Sequence, residues 1–545
     1  MRLRIVTNMK KYLSFPILFG IALIPRLLQL DTFLALDEFL WLERTRNFVF
    51  ALQQNYWAQT FQTGHPGVMT MWSGSLGLWL YAWQHQLAEA AFQAELGRIT
   101  WNYQPLTLIW YVRLTTVLIT SLSVVGVYIL LAQLYSQNSA FIGAFLLALD
   151  PWYLGNSRVL HHDALMSSFM LLSALALLVH VYQKPMTRRW LFLSGMGAGL
   201  ALLSKTLSLF LLPWTGAVLL LALLHKRISI TQALTTAILW VGSACMTFYI
   251  FWPSMWLAPM KSVQRVIHTL TVYGATPHER GQFFLGEMVA DPGYLFYPFL
   301  LLYATTPLIC LGIAILTLYA WPKDFLEKLQ KNPQVQLLLL QIFYIVGYML
   351  LISFGDKKHE RYLLPAVLML NCVAAVGIDW LQEWIKEYLT NRQNRNYWFG
   401  IAAFYCVIII MHGAVTLSYQ PYYFTYYNPL IHHFLPADQN LLIGRGEGNE
   451  LAAAYFNALP NVTDISVTAS FPETFAPFFK GQTLSWPLEE DEVLTDYAAF
   501  YRRDLQQNFP RSILREQVQS EWALVEVITI RDIPYVWLYR NPAKP

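Results

Sequence analysis

Asp37 and Glu38 stand side by side in LALDEFLWLER, directly after an apolar stretch. Carboxylates at the mouth of a membrane helix are costly to keep there and usually have a function. Such a group can take a proton from a hydroxyl or bind a cation. Gly64-His65-Pro66-Gly67 follows in the same polar segment, a turn that could carry an imidazole towards the acid pair. Later, Asn156-Ser157-Arg158-Val159-Leu160-His161-His162-Asp163 sets Arg158 five residues ahead of Asp163. Arginine offers paired donors that match phosphate oxygens. Asp163 could fix that arginine, orient a sugar or ligate a cation. His161, His162 and Asp163 are ligand types, but neighbours on a helix point about 100° apart, so the triplet alone specifies no metal. Lys205 closes a Gly-rich run, GLALLSKT, that lacks the glycine a nucleotide phosphate loop has before its lysine. A lysine at a break between two apolar runs still suits a phosphate. Lys357, Lys358 and Arg361 crowd one helix start in GDKKHERYLLP.

The elements that must position these groups are membrane helices. Of 545 residues 56% are hydrophobic and 13% charged, and mean hydropathy is +0.38. That charge share is about half the usual one in soluble proteins. It excludes a cytosolic enzyme, a disordered chain and a nucleic-acid-binding protein. The aromatic share of 15% suits two membrane interfaces. Eleven segments approach the length of a span, near 12–30, 113–135, 139–150, 163–183, 190–204, 206–224, 233–252, 296–320, 336–354, 361–384 and 398–418. With the N-terminus cytoplasmic, the inner loops hold Lys184, Arg188 and Arg189; Lys226 and Arg227; Lys323, Lys328 and Lys331; and Lys386, Arg392 and Arg395. Loop 31–112, with the acid pair, then lies outside, and residues 66–83 read as an interfacial or re-entrant helix. Arg158, Lys205, Lys261, Arg265, Arg280, Lys357, Lys358 and Arg361 fall on that external side and depart from the charge rule, as a surface for a lipid phosphate would.

Residues 421–545 differ from the body, with 9 basic and 15 acidic residues. They read as a small external α/β domain. NLLIGRGEG suggests a strand and a glycine turn, NELAAAYFNAL a helix, DISVTAS a strand, and DYAAFYRRDLQQ a strand entering a helix. WALVEVITIRDIPYVWLYR alternates like a terminal hairpin. Glu489-Glu490-Asp491-Glu492 reads as a solvated acidic run. The four cysteines all sit in apolar runs and suggest no disulfide or zinc framework.

In order along the chain these motifs resemble the membrane glycosyltransferases of the GT-C class. They are most similar to the protein O-mannosyltransferase family and its bacterial relatives, which include the lipid A aminoarabinose transferase. Asp37-Glu38 resembles the family's acid pair, and His65-Pro66 its HP turn. Ser157, Arg158 and Asp163 resemble its S-R-x-x-x-x-D element. Gly195 to Lys205 resembles its Gly-rich helix ending in T-K, with Ser204 for the threonine. Lys358, Arg361, Tyr362, Leu364 and Pro365 resemble K-x-x-R-Y-x-L-P. YYNPL (426–430) followed by GRGEG is similar to a bacterial branch in which a tryptophan is expected where Arg445 stands. The resemblance implies a polytopic GT-C domain over 1–420 in a bacterial plasma membrane and an external or periplasmic domain over 421–545. It implies an inverting transfer of a hexose or pentose from a polyprenyl-phosphate donor to a hydroxyl on a protein, lipid or glycan. Asp37 and Glu38 would be catalytic. Arg158, Lys205, Lys358 and Arg361 would hold the donor phosphate, and His65, His162, Asp163 and Tyr362 would bind substrate. A divalent metal stays open as cofactor, with Asp37, Glu38, Asp163 and His65 as the ligands on offer. A transporter or lipid flippase for a phosphate-bearing substrate is the competing reading of the same spans and charges.

Overall fold

The computed structural model describes residues 2–272, 276, 280–320, 332–391, 397–486, 493–509 and 512–544. Lys323, Lys328, Lys331, Arg392, Arg395 and the acidic run 489–492 lie outside the described residues.

A helical bundle occupies most of the chain. All eleven apolar segments contain helix. Among the described residues seven helices are long and apolar enough to cross a membrane. An eighth span exists if Phe296–Ala304 and Pro307–Leu318, bent by 113°, are taken together. Pro307 has no amide hydrogen and disfavours a helical Thr306, so the turn breaks there. Helices over Leu13–Leu27 and Gln137–Ala148 are apolar but shorter. His162–Tyr182 lies at the centre of the bundle, 94% buried, whereas Ile230–Phe251 is 17% buried and presents apolar side chains outward. Val68–Gln84 is a 17-residue helix packed against Glu38–Gln53 and Leu106–Leu134.

Two helices frame the centre. His162–Tyr182 starts at Asp163 and runs away; Arg188–Ser204 returns and stops at Lys205. Lys184, Arg188 and Arg189 therefore lie at the opposite end of the bundle from Asp163 and Lys205. Lys205 is fully extended (φ −161°, ψ 143°), which ends the helix and throws its side chain inward.

The C-terminal region builds a five-stranded sheet. With β1 (Gln282–Phe284) and β2 (Glu287–Val289) pairing separately, its strands are β3 (Ser466–Ala469), β4 (Gln482–Ser485), β5 (Tyr497–Tyr501), β6 (Ala523–Ile530) and β7 (Ile533–Arg540), in the order β4-β3-β5-β7-β6. β3 runs parallel to both β4 and β5, and β7 is antiparallel to β5 and β6. Arg531 and Asp532 both have positive φ (50° and 64°), as a two-residue hairpin loop of right-handed strands requires. The expected helix at 449–457, the strand in DISVTAS, the strand-to-helix step at 497–506 and the final hairpin are all present. NLLIGRGEG is not a strand of the sheet: Leu441 makes one isolated bridge, to Phe284, because the segment is spent docking on the bundle instead.

That docking is close. Leu36 donates its N–H to the Arg445 carbonyl at 2.8 Å. Gly446 has φ +115°, and a Cβ there would lie 2.2 Å from the Leu34 carbonyl oxygen. A side chain at 446 meets both backbone strain and a backbone clash, each of order 1–3 kcal/mol. Gly446→Ala should therefore lower the melting temperature of the detergent-solubilised protein and make the 421–545 region more easily proteolysed; unchanged melting and digestion would contradict this docking.

Candidate active site

A cavity of about 240 Å³ lies where the C-terminal region meets the bundle. The bundle lines it with Asp37, His161, His359 and Arg361, and the C-terminal region with Phe424, Arg445, Phe471, Glu473, Arg503 and Gln507. Arg280 closes one side.

Asp37 is the N-cap of helix Glu38–Gln53 and sits in the left-handed region (φ 68°, ψ −11°). Aspartate tolerates that region better than most residues. It aims the carboxylate at the cavity, where 42% of the side chain is exposed. Arg361 Nη1 donates to Asp37 Oδ2 at 2.9 Å. Burial pushes the Asp37 carboxyl up, but Arg361, with His161 and His359, more than offsets this and holds it well below the usual carboxylate range. Asp37 is therefore an ionised acceptor at neutral pH.

The same guanidinium reaches a second carboxylate. Arg361 Nε lies 3.2 Å from Asp163 Oδ2, and Lys205 Nζ donates to Asp163 Oδ1 at 2.8 Å. Asp163 is fully buried. Lys205 Nζ also stands 3.9 Å over the Tyr362 ring, a cation–π contact. The His-Pro turn is joined to this group by backbone, since Gly67 donates its N–H to the Ser204 carbonyl that the helix break leaves free. His65 stacks towards His162 at 6.5 Å between ring centres. Burial, with Lys205 and Lys357 nearby, pushes His65 down to about 4, so it is neutral. His359 is pushed down to about 3 by burial and Arg361, against the pull of Glu360.

Three residues of the expected set are placed otherwise. Glu38 is buried beneath the cavity. Its Oε1 accepts from Arg113 Nε and from the Leu160 N–H, both at 2.8 Å, and its Oε2 from the Ala35 N–H and Arg113 Nη2. Both oxygens are spent, so the acid pair splits into one carboxylate facing the cavity and one holding backbone. Arg158 donates to the carbonyls of Leu28, Gln29 and Pro421 and to Gln420 Oε1. Its head faces helix-end carbonyls and lines no part of this cavity. Lys358 Nζ is tied to Asp291 Oδ1 at 2.6 Å and to the Gly355 carbonyl. Arg158 and Lys358 are thus not brought to Asp37, whereas Lys205, Arg361, Tyr362, Asp163, His162 and His65 form one connected group beside it.

Arg445 and Arg503, unassigned by sequence reasoning, stand in the cavity wall. Only the departure of Arg445 from the expected tryptophan hinted at either. For metal binding, His161, His162 and Asp163 offer three ligand atoms within 4.8 Å of one another. Each Asp163 oxygen is already held by a cation, Lys205 or Arg361, so this donor set does not fit a divalent ion without displacing them.

A separate apolar groove of about 550 Å³ opens on the flank of the bundle, lined by Leu202, Leu209, Leu212, Trp240, Phe248 and Val263 among others. Leu202 and Ser208, on either side of Lys205 in sequence, are part of its wall.

Residues 106–256 match the family described as dolichyl-phosphate-mannose-protein mannosyltransferase. No curated protein matches the chain. Among solved structures, ArnT from Cupriavidus metallidurans bound to undecaprenyl phosphate is similar at a TM-score of 0.52 and 13% identity, over 96% of this chain and 97% of that one. ArnT in the apo state gives a TM-score of 0.52 at 12% identity, over 98% of each chain. The oligosaccharyltransferase AglB from Archaeoglobus fulgidus, in complex with an inhibitory peptide and a dolichol-phosphate, gives 0.48 at 12%, over 87% of this chain and 65% of that one. The fold is the GT-C fold of ArnT.

The split acid pair makes a direct prediction. Asn tolerates the left-handed region as Asp does, the Asp37 side chain is 42% exposed and Arg361 keeps Asp163, so Asp37→Asn should lower the melting temperature little. Glu38→Gln leaves Arg113 buried without its charge partner, and breaking such a pair costs about 3–5 kcal/mol. A Glu38→Gln protein as stable as Asp37→Asn in a detergent melt would refute the assignment.

Proposed function

We propose that the chain is an inverting glycosyltransferase that moves a sugar from a polyprenyl-phosphate donor to an acceptor hydroxyl. The reaction takes place at the external, in bacteria periplasmic, face of the membrane, with 1–420 as the spanning catalytic part and 421–545 covering it. One observation carries the reading: a single guanidinium, Arg361, joins the carboxylate that faces the cavity to the buried carboxylate that holds Lys205. A proton acceptor and two cations thus stand within one chain of ion pairs, as a hydroxyl attack that expels a phosphate needs.

Asp37 accepts the proton from the acceptor O–H as that oxygen bonds to the anomeric carbon. The bond from that carbon to the phosphate oxygen breaks, and its electron pair leaves with the polyprenyl phosphate. Lys205 and Arg361 stabilise the charge that grows on the leaving phosphate. Tyr362 holds Lys205 in place, and Asp163 fixes Lys205 and Arg361 together. His65 and His162, next to them, contact the donor. Glu38 is a positioning group through Arg113, and Arg158 and Lys358 brace the helix ends. The isoprenoid tail runs in the apolar groove, whose wall passes Lys205. The donor carries its own activation, so no nucleotide is required at this face.

Transfer from radiolabelled polyprenyl-phosphate sugars to a membrane and protein extract tests the reading. Asp37→Asn should reduce transfer by about 10²–10⁴-fold, the usual worth of a positioned base, while donor binding persists. Near-normal turnover would remove Asp37 from the mechanism. Because Arg361 keeps Asp37 ionised, the rate should show no acid limb attributable to a carboxylate titrating near pH 4. Arg361→Gln lifts that restraint, so Asp37 should titrate closer to its ordinary value of about 3.9 and an acid limb should appear. Identical acid limbs in the two proteins would contradict the pairing.

A further inference from the structure

The donor reading accounts for one wall of the cavity. Of the donor-side cations, Arg361 lines the cavity and Lys205 lies buried behind it on Asp163, and in the donor reading one phosphate is matched by those two. The opposite wall carries three arginines beside Glu473 and is left unexplained. Arg445 and Arg503 come from the C-terminal region, and Arg280 joins them from the loop between spans. Arg445 and Arg503 share a single carboxylate oxygen: Arg445 Nε is 3.2 Å and Arg503 Nη1 3.6 Å from Glu360 Oε1. Glu360 turns its other oxygen to His359 Nδ1 at 2.9 Å, and His359 is neutral. Two other carboxyls stand close, Glu447 beneath the arginines and Glu473 in the wall, and burial pushes both up, Glu447 to about 7, so their compensation of the two guanidiniums is partial. Arg280 is paired with Asp504 at 2.9 Å, and burial pushes that carboxyl up to about 7, so its compensation of Arg280 is incomplete at neutral pH.

These side chains are built in. Arg503 is 8% exposed and donates through Nη1 to the Gly444 carbonyl at 3.0 Å. Arg445 donates to Asn156 Oδ1 at 3.0 Å and lies 4.6 Å over the Phe424 ring. Neither Nη2 makes a hydrogen bond among the described residues. Both arginines flank the turn that docks on Leu34–Leu36, so their spacing from Asp37 is set by backbone contacts rather than by flexible loops.

Resting on the donor reading, we propose that Arg445 and Arg503 form a second anion subsite, distinct from the donor phosphate site, that binds a phosphate group carried by the acceptor and so presents its hydroxyl to Asp37. Paired guanidiniums suit a phosphate better than a neutral glycan surface would require. In this arrangement the C-terminal region selects the acceptor and the bundle holds the donor.

The test uses the full-length protein in detergent, with labelled inorganic phosphate as the probe and a short-chain polyprenyl monophosphate as the donor-side ligand. The wild type should bind phosphate while saturated with the lipid. Arg445→Gln and Arg503→Gln should each weaken phosphate binding by about ten-fold or more, the scale of one lost charge-assisted contact, and still bind the lipid, which also reports that they are folded. Displacement of phosphate by the lipid, or unchanged phosphate binding in folded variants, overturns the subsite. Loss of lipid binding in the wild type, with phosphate binding kept and sensitive to both arginines, overturns the donor reading and leaves the subsite supported. Glucose 6-phosphate and phosphatidylglycerol serve as competitors. Displacement by the first assigns a soluble or glycan-borne phosphate, and by the second a lipid headgroup. Displacement by neither counts against an acceptor role.

Discussion

One guanidinium between two carboxylates sets the geometry of the site. Arg361 bonds Asp37 from the first polar segment and touches Asp163 from the central helix. An arginine with a single partner could rotate; one with two fixed anions cannot do so without leaving a charge unpaired in a poorly solvated place. Everything else near the cavity follows from this clamp. Asp163 holds Lys205 with one oxygen while Arg361 approaches the other. Asp37 stays ionised only because Arg361 outweighs the cost of its burial. The clamp therefore trades basicity for certainty of charge. Asp37 is thereby a weakly basic carboxylate, and in the proposed reaction that suffices because the electrophile is already activated by a departing phosphate.

The clamp needs Asp37 in a backbone conformation that few residues adopt. Two contacts enforce it from opposite sides. Glu38 takes the Ala35 N–H with one oxygen, and the Arg445 carbonyl takes the Leu36 N–H. The first is internal to the bundle, and the second comes from the C-terminal region. The C-terminal residues are thus part of the site's construction, because the loop that bears Asp37 is shaped by the turn that bears Arg445. Gly446 is required there for contact as much as for φ, as its near approach to the Leu34 carbonyl shows.

Much of this was legible in the sequence. Hydropathy located every apolar helix, and alternation found the final hairpin and β3. Motif order brought Asp37, His65, Asp163, Lys205, Arg361 and Tyr362 to one end of the bundle, where the structure connects them. The failures have physical reasons. Length alone could not show that Pro307 bends one segment by 113°, since proline is tolerated in many spanning helices. β4, with four residues directly after Gly481, carries too little pattern to separate from loop. Leu441–Ile443 has the residues of a strand but spends its neighbouring backbone on the bundle. Arg445 and Arg503 lie far from the acid pair in sequence, and only the docked turn brings them beside it.

Arg158 and Lys358 show what else a charge at a helix end can do. A helix terminus leaves carbonyls without partners, and in a poorly hydrated bundle those carbonyls need donors as much as a substrate does. Arg158 supplies Leu28, Gln29 and Pro421, and Lys358 supplies Gly355. Lys205 differs in one respect: its own helix break is already satisfied, because Ser204 receives the Gly67 N–H. Its ammonium is therefore free to meet a carboxylate and an aromatic face instead of backbone. What separates Lys205 from Arg158 and Lys358 here is that its ammonium meets side chains where theirs meet backbone carbonyls.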